Sequence, residues 1–95
     1  MNETQFRIRL QENGFESPVV REYPPEADGD LHSHEFDVML LVQQGPFILA
    51  TESGDTVYQT AEVCELAAGV LHVERTGELG ARVLLGKRAP AAAYR

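Results

Sequence analysis

The sequence predicts an all-β barrel or sandwich carrying one short N-terminal helix, and three observations predict it. Short runs rich in Val, Leu, Ile, Phe and Tyr recur about every 8–12 residues, the spacing of strands in such folds. Glycine, proline and aspartate punctuate the gaps between the runs. No gap is long enough to hold a crossover helix, so parallel βαβ units are excluded.

Residues 2–13 read as the helix. Asn2 can cap it, and Gln5, three residues on, can reach back to complete a capping box. Gly14 stands where a left-handed C-terminal cap belongs. Phe6, Ile8 and Leu10 alternate with period two, a strand signal, but the two end signals agree on a helix. PVVREY (18–23) is then the first strand, and the breaker-rich PPEADGD (24–30) is a loop. The remaining strands are LHSH (31–34), DVMLLVQ (37–43), PFILAT (46–51), TVYQT (56–60), VCEL (63–66), LHVERT (71–76) and ARVLLGK (81–87). SGD at 53–55 marks the clearest hairpin, with Gly54 free to take a positive φ. Residues 38–42, VMLLV, are apolar on both alternating faces, so this strand expects two coverings: the barrel interior on one side, the N-terminal helix or a partner subunit on the other. The expected organisation is a single domain over 1–95: helix at 1–14, barrel at 17–88, and a loose tail at 89–95 with no amphipathic pattern.

A net charge of −7, from 15 acidic against 8 basic residues, with no basic stripe, argues against nucleic acid and against an anionic membrane surface. The lone Cys64 rules out an internal disulfide framework and fits a reducing, cytoplasmic setting. The first residues offer neither the basic patch nor the unbroken apolar run of a secretory leader. Cys64 itself reads as a small buried side chain with no basic group near it in sequence.

The chemistry concentrates in GDLHSHEFD, residues 29–37. In an extended strand, residues two apart share a face, so His32 and His34 project side by side. The third histidine, His72, lies on another expected strand that an antiparallel fold could bring alongside. An isolated H-x-H recurs by chance in many proteins. Two adjacent imidazoles, a distant third and a nearby carboxylate, however, match the ligand set of a metal site that keeps a position open. Glu35 points away from the pair if the strand continues.

These residues also resemble a known family. GDLHSHEFDVMLLVQQG (29–45) is similar to the first cupin motif, in which a glycine precedes H-x-H, a glutamate follows and a glycine, here Gly45, closes the hairpin. AEVCELAAGVLHVERT (61–76) resembles the second, G-x5-P-x-G-x2-H-x3-N: Gly69 and His72 match, while Ala61, Ala67 and Thr76 replace the first glycine, the proline and the asparagine. The resemblance implies a double-stranded β-helix, the cupin jelly-roll barrel, with His32, His34 and His72 as metal ligands. Cupins usually carry their glutamate four or five residues after the second histidine, where this chain has Val38 and Met39. Asp37 is the nearest substitute, and a turn or bulge would have to carry it to the ion. Glu74, on the same face as His72, is the other route to a fourth ligand and a candidate proton carrier.

Imidazole-rich, thiolate-free ligation suits one divalent ion among Zn, Ni, Fe, Mn and Cu. Val38, Leu40, Phe47 and Leu49 would wall a mostly apolar pocket for a small organic molecule. Two functions follow. One is a metal-dependent enzyme of the oxygenase, isomerase or decarboxylase kinds that cupins host. The other is a non-catalytic module that holds a metal or small ligand, as sensor cupins do. A homodimer is expected on either reading, because two-sided apolar strands leave surface to cover.

Overall fold

The computed structural model describes residues 1–90. The helix α1 spans Glu3–Glu12, and both halves of the capping box form: Asn2 Oδ1 accepts from the Gln5 backbone N–H at 2.8 Å, and Gln5 Oε1 from that of Asn2 at 3.1 Å. Gly14 takes φ 76°, and Phe15 N–H returns to Leu10 O at 2.9 Å. The helix resolves the ambiguous alternation. Phe6 and Leu10, four apart and hence on one face, are buried, while Ile8 is 52% exposed.

Seven strands follow: β1 Val19–Tyr23, β2 Asp37–Gln44, β3 Phe47–Thr51, β4 Gly54–Tyr58, β5 Val63–Leu66, β6 Val73–Thr76 and β7 Ala81–Arg88. They make two antiparallel sheets, in the orders β1-β7-β2-β5 and β4-β3-β6. The hairpin at Gly54 forms as expected, Thr51 pairing with Gly54 at φ 117°. Residues 91–95, most of the tail expected to be loose, lie outside the described residues.

One expected strand is absent. LHSH at 31–34 forms only an isolated bridge, His32 opposite His72, and β6 starts at Val73 instead of Leu71. The carbonyls of Asp30 and Val70 bond to imidazole nitrogens instead of to a neighbouring strand, which confines the ladder to that one pair.

The two faces of β2 have different coverings, as its sequence requires. Val38, Leu40 and Val42 face the other sheet and pack with Phe47, Leu49, Val83 and Leu85, so one core lies between the sheets. Met39 and Leu41 face outward and are covered by Phe6 and Leu10 of α1, together with Leu84. Burying a side chain such as Phe6 or Phe47, each at 0% exposure, is worth roughly 1.5–3 kcal/mol. The helix is therefore part of the folded unit. Among the described residues no helix is long and apolar enough to cross a membrane.

Candidate metal centre

The three histidines converge. His32 and His72 exchange both backbone hydrogen bonds, His32 N–H to His72 O at 3.0 Å and His72 N–H to His32 O at 2.9 Å, which places the two side chains next to one another. Ring centroids are 4.2 Å apart for His32 and His72, 4.8 Å for His34 and His72, and 5.1 Å for His32 and His34. One ligand atom from each ring lies within 4.8 Å of the others, so this group could hold a metal ion. Gly69 helps to set the approach. At φ 82° it turns the chain just ahead of His72, and its N–H donates to His34 O at 2.8 Å.

The ring nitrogens are sorted by the backbone. His32 Nδ1 lies 2.7 Å from Asp30 O and His72 Nδ1 lies 2.9 Å from Val70 O, in each case the carbonyl two residues earlier. A carbonyl only accepts, so each Nδ1 carries the proton, and in the neutral ring Nε2 keeps its lone pair. This is the outer-shell hydrogen bond that orients metal-ligating histidines. His34 stacks on Phe36 at 4.8 Å and 6°. Burial first, and then the neighbouring charges of His72 and His32, hold its pKa below the usual histidine value, which keeps the ring neutral and able to coordinate.

Two features show that this donor set fits a cation. His72, 1% exposed, has no hydrogen-bond partner at Nε2, and a buried polar atom without a partner costs about 1–3 kcal/mol. In addition, Glu74 Oε1 stands 3.1 Å from His32 Nε2 and 4.0 Å from His72 Nε2. This brings a carboxylate oxygen, a further possible ligand atom, up to the imidazole nitrogens.

Glu74 is held from behind. Tyr23 donates its phenolic O–H to Glu74 Oε2 at 2.5 Å, leaving Oε1 for the histidines. Burial, then the bond and charge of Glu74, push the Tyr23 phenol well above its usual pKa, so it remains a donor. Nothing in the sequence around Tyr23 marks it as part of the site. Its strand β1 pairs with β7 at the far end of the chain, and a single sequence carries no signal of that register.

Asp37 is not brought to this group. It begins the regular part of β2 on the face opposite Val38, and both its oxygens are in use: Oδ1 accepts from the Ala68 N–H at 2.9 Å and Oδ2 from Arg88 at 2.8 and 3.2 Å. No bulge intervenes between Asp37 and Val38 to turn it inward, since the register of β2 shifts only between Val42 and Gln44. Asp37 and Arg88 line an open cleft of about 390 Å³, away from the histidines. Glu35 is exposed, as expected.

The histidines and Glu74 line a more enclosed cavity of about 220 Å³ between the sheets, walled by Val38, Leu40, Phe47 and Leu49. No family model matches the sequence, and comparison with curated proteins returns no relative. Solved structures decide the fold. A cupin-2 domain protein from Shewanella frigidimarina superposes with a TM-score of 0.65 at 17% identity, covering 93% of each chain. This chain has the cupin fold. KdgF from Halomonas sp. matches this chain with a TM-score of 0.66 at 19% identity, over 82% of this chain and 73% of its own. A predicted oxalate decarboxylase from Thermotoga maritima gives 0.67 at 17% identity, over 85% and 72%. At these identities the likeness concerns the fold, and the chemistry of this chain follows from its own residues.

Proposed function

We propose that this cupin is a metal-dependent enzyme acting on a small organic molecule, with one divalent transition metal held by the Nε2 atoms of His32, His34 and His72. The observation that carries the reading is the buried, unpartnered Nε2 of His72 at the convergence of three imidazoles, two of them with Nδ1 anchored on backbone carbonyls. When bound, the ion would supply Lewis acidity to a substrate oxygen or, for a redox-active metal, reactivity toward dioxygen. The chain supplies the rest. Glu74 presents Oε1 toward the same space, where it can take up or return a substrate proton, while Tyr23 fixes Oε2 and so the orientation of the carboxylate. Leu40, Phe47 and Leu49 keep the floor of the cavity apolar, and its volume limits the substrate to a small body. Among solved neighbours, one carries the description of a predicted oxalate decarboxylase, in keeping with chemistry on a small substrate.

The test is metal analysis of protein purified without an affinity tag, beside a His32→Ala/His34→Ala variant. Metal near one equivalent in the wild type and loss in the variant is expected; equal, trace amounts in both would remove the enzyme reading. Dioxygen uptake and product analysis over small thiols, diketones and phenols then separate oxygenase from isomerase. Bound metal with no turnover anywhere in the panel would instead favour a non-catalytic metal or ligand binder.

A homodimer is proposed as well. The outer face of β2 is taken by α1, and the edge strand β1 carries two exposed apolar side chains, Val19 and Val20, at 59% and 58%. Sedimentation at micromolar concentration should show a dimer that Val20→Lys dissociates, and a monomeric wild type would refute it.

A further inference from the structure

Two cations sit where the barrel pattern calls for apolar side chains. Along β7, Ala81, Val83 and Leu85 face the inter-sheet core, and Lys87 is the next residue in that alternation, paired with Val38 of β2. Along β1, Arg21 pairs with Val83 and shares its face with Tyr23, which packs against the same core. Both side chains line the histidine cavity. In a chain of net charge −7 this concentrates positive charge at one opening.

Neither cation has a carboxylate partner among the described residues, whereas Arg7, Arg75 and Arg88 each have one. They rest on aromatic rings instead. The Arg21 guanidinium carbon lies 5.3 Å from the Tyr23 ring centroid, and Lys87 Nζ lies 4.7 Å from that of Phe36. Such contacts orient a cation without neutralising it. Glu74, the acidic side chain in the cavity lining, accepts from Tyr23 at Oε2 and turns Oε1 to the histidines, and no ion pair joins it to either cation.

We propose that the cavity takes a small organic carboxylate, its anionic group drawn to the cationic rim that Arg21 and Lys87 form and its apolar body against the wall that Phe36 and Leu49 provide. Two unpaired cations at the exposed rim of one cavity set a local positive potential that favours an anion, and about 220 Å³ of mostly apolar space admits a body of a few carbons up to a single ring. The proposal deepens the metal-enzyme reading by naming its substrate class, but the cation pair does not depend on the ion.

The experiment is calorimetric titration with mandelate and with mandelamide, its neutral isostere, on cobalt-loaded protein and on metal-free protein. Cobalt absorption reports separately whether the histidine site is filled. Mandelate should bind at least about tenfold more tightly than mandelamide, and Arg21→Gln and Lys87→Gln should each lower that preference and together erase it. Arg82→Gln, which removes a cation exposed on β7 outside this cavity, should leave it intact. Inorganic phosphate, with charge but no apolar body, should bind more weakly than mandelate. Equal binding of acid and amide, or a preference untouched by both cavity variants, overturns the proposal whether or not cobalt binds. If the cobalt spectrum never forms, the metal reading fails, and the same comparison on metal-free protein still decides the carboxylate site.

Discussion

Tyr23 and Glu74 stand 51 residues apart in sequence and meet through a single hydrogen bond, phenol to Oε2, that leaves Oε1 directed at the histidines. Without that bond the carboxylate could rotate away, and the charge beside the three imidazoles would no longer be fixed. Tyr23→Phe keeps the ring that packs on Phe47 at 5.4 Å and removes only the donor. We expect a folded variant whose metal affinity falls by about tenfold or more, the usual cost of losing an outer-shell contact. Competition with a chromophoric chelator measures it; unchanged affinity would show that Glu74 needs no such anchor.

Asp37 has a structural task of its own. The Ala68 N–H first, and Arg88 second, hold its carboxyl below the usual aspartate range. A group whose folded pKa is depressed stabilises the fold above its unfolded value of about 3.9, and that contribution fades as the pH falls toward the folded value. Asp37→Asn should therefore be less stable than the wild type at pH 7 by about 1 kcal/mol. The gap should narrow as the pH falls below about 4, where Asp37 is protonated first in the unfolded chain and in the folded protein only at its lower pKa. Urea melts of both proteins at pH 7 and pH 3.5 make the comparison. A gap independent of pH would assign the loss to packing.

Much of this was legible in the sequence because local rules govern it. The capping box, the Gly54 hairpin, the two-sided strand β2 and the pairing of H-x-H with His72 all follow from residue types at short spacings or from alternation. The rest depends on register between distant strands. Tyr23, Arg21 and Lys87 reach the cavity because β1 and β7 pair at the edge of one sheet, which no short-range pattern announces. The expected LHSH strand shrank to a bridge for a different reason: its neighbouring carbonyls serve the imidazole rings. The same local geometry that weakens the strand sharpens the site.

Cys64 lines the cavity yet is built to be inert. It is 1% exposed, and burial, the largest influence, pushes its thiol up to about 11. The thiolate is the reactive form, so at pH 8 the folded protein should resist iodoacetamide over hours and react within minutes once denatured. Mass spectrometry of both samples reads the result. Rapid alkylation of the folded protein would mean that the cavity opens far more than its packing indicates.

Ala61 occupies the position of the first glycine in the second cupin-like motif, and its backbone shows why a glycine suits it. Glu62 N–H closes a turn onto Gln59 O at 3.0 Å, and Ala61, the third residue of that turn, takes φ 75°. A left-handed backbone at a residue with a Cβ costs about 1 kcal/mol, and glycine adopts it freely. The backbone bonds at this residue do not involve its methyl: Ala61 N–H donates to Val42 O at 2.8 Å, and Ala61 O accepts from the N-terminal ammonium at 2.8 Å. Ala61→Gly should therefore keep these contacts and raise stability by about 1 kcal/mol, or roughly 4–8 °C in Tm for a domain of this size. The direction is opposite to that expected for Ala→Gly at a position with negative φ, where added freedom in the unfolded chain lowers stability. A calorimetric melt of the variant showing a lower Tm would mean that the methyl makes contacts worth more than the strain it imposes.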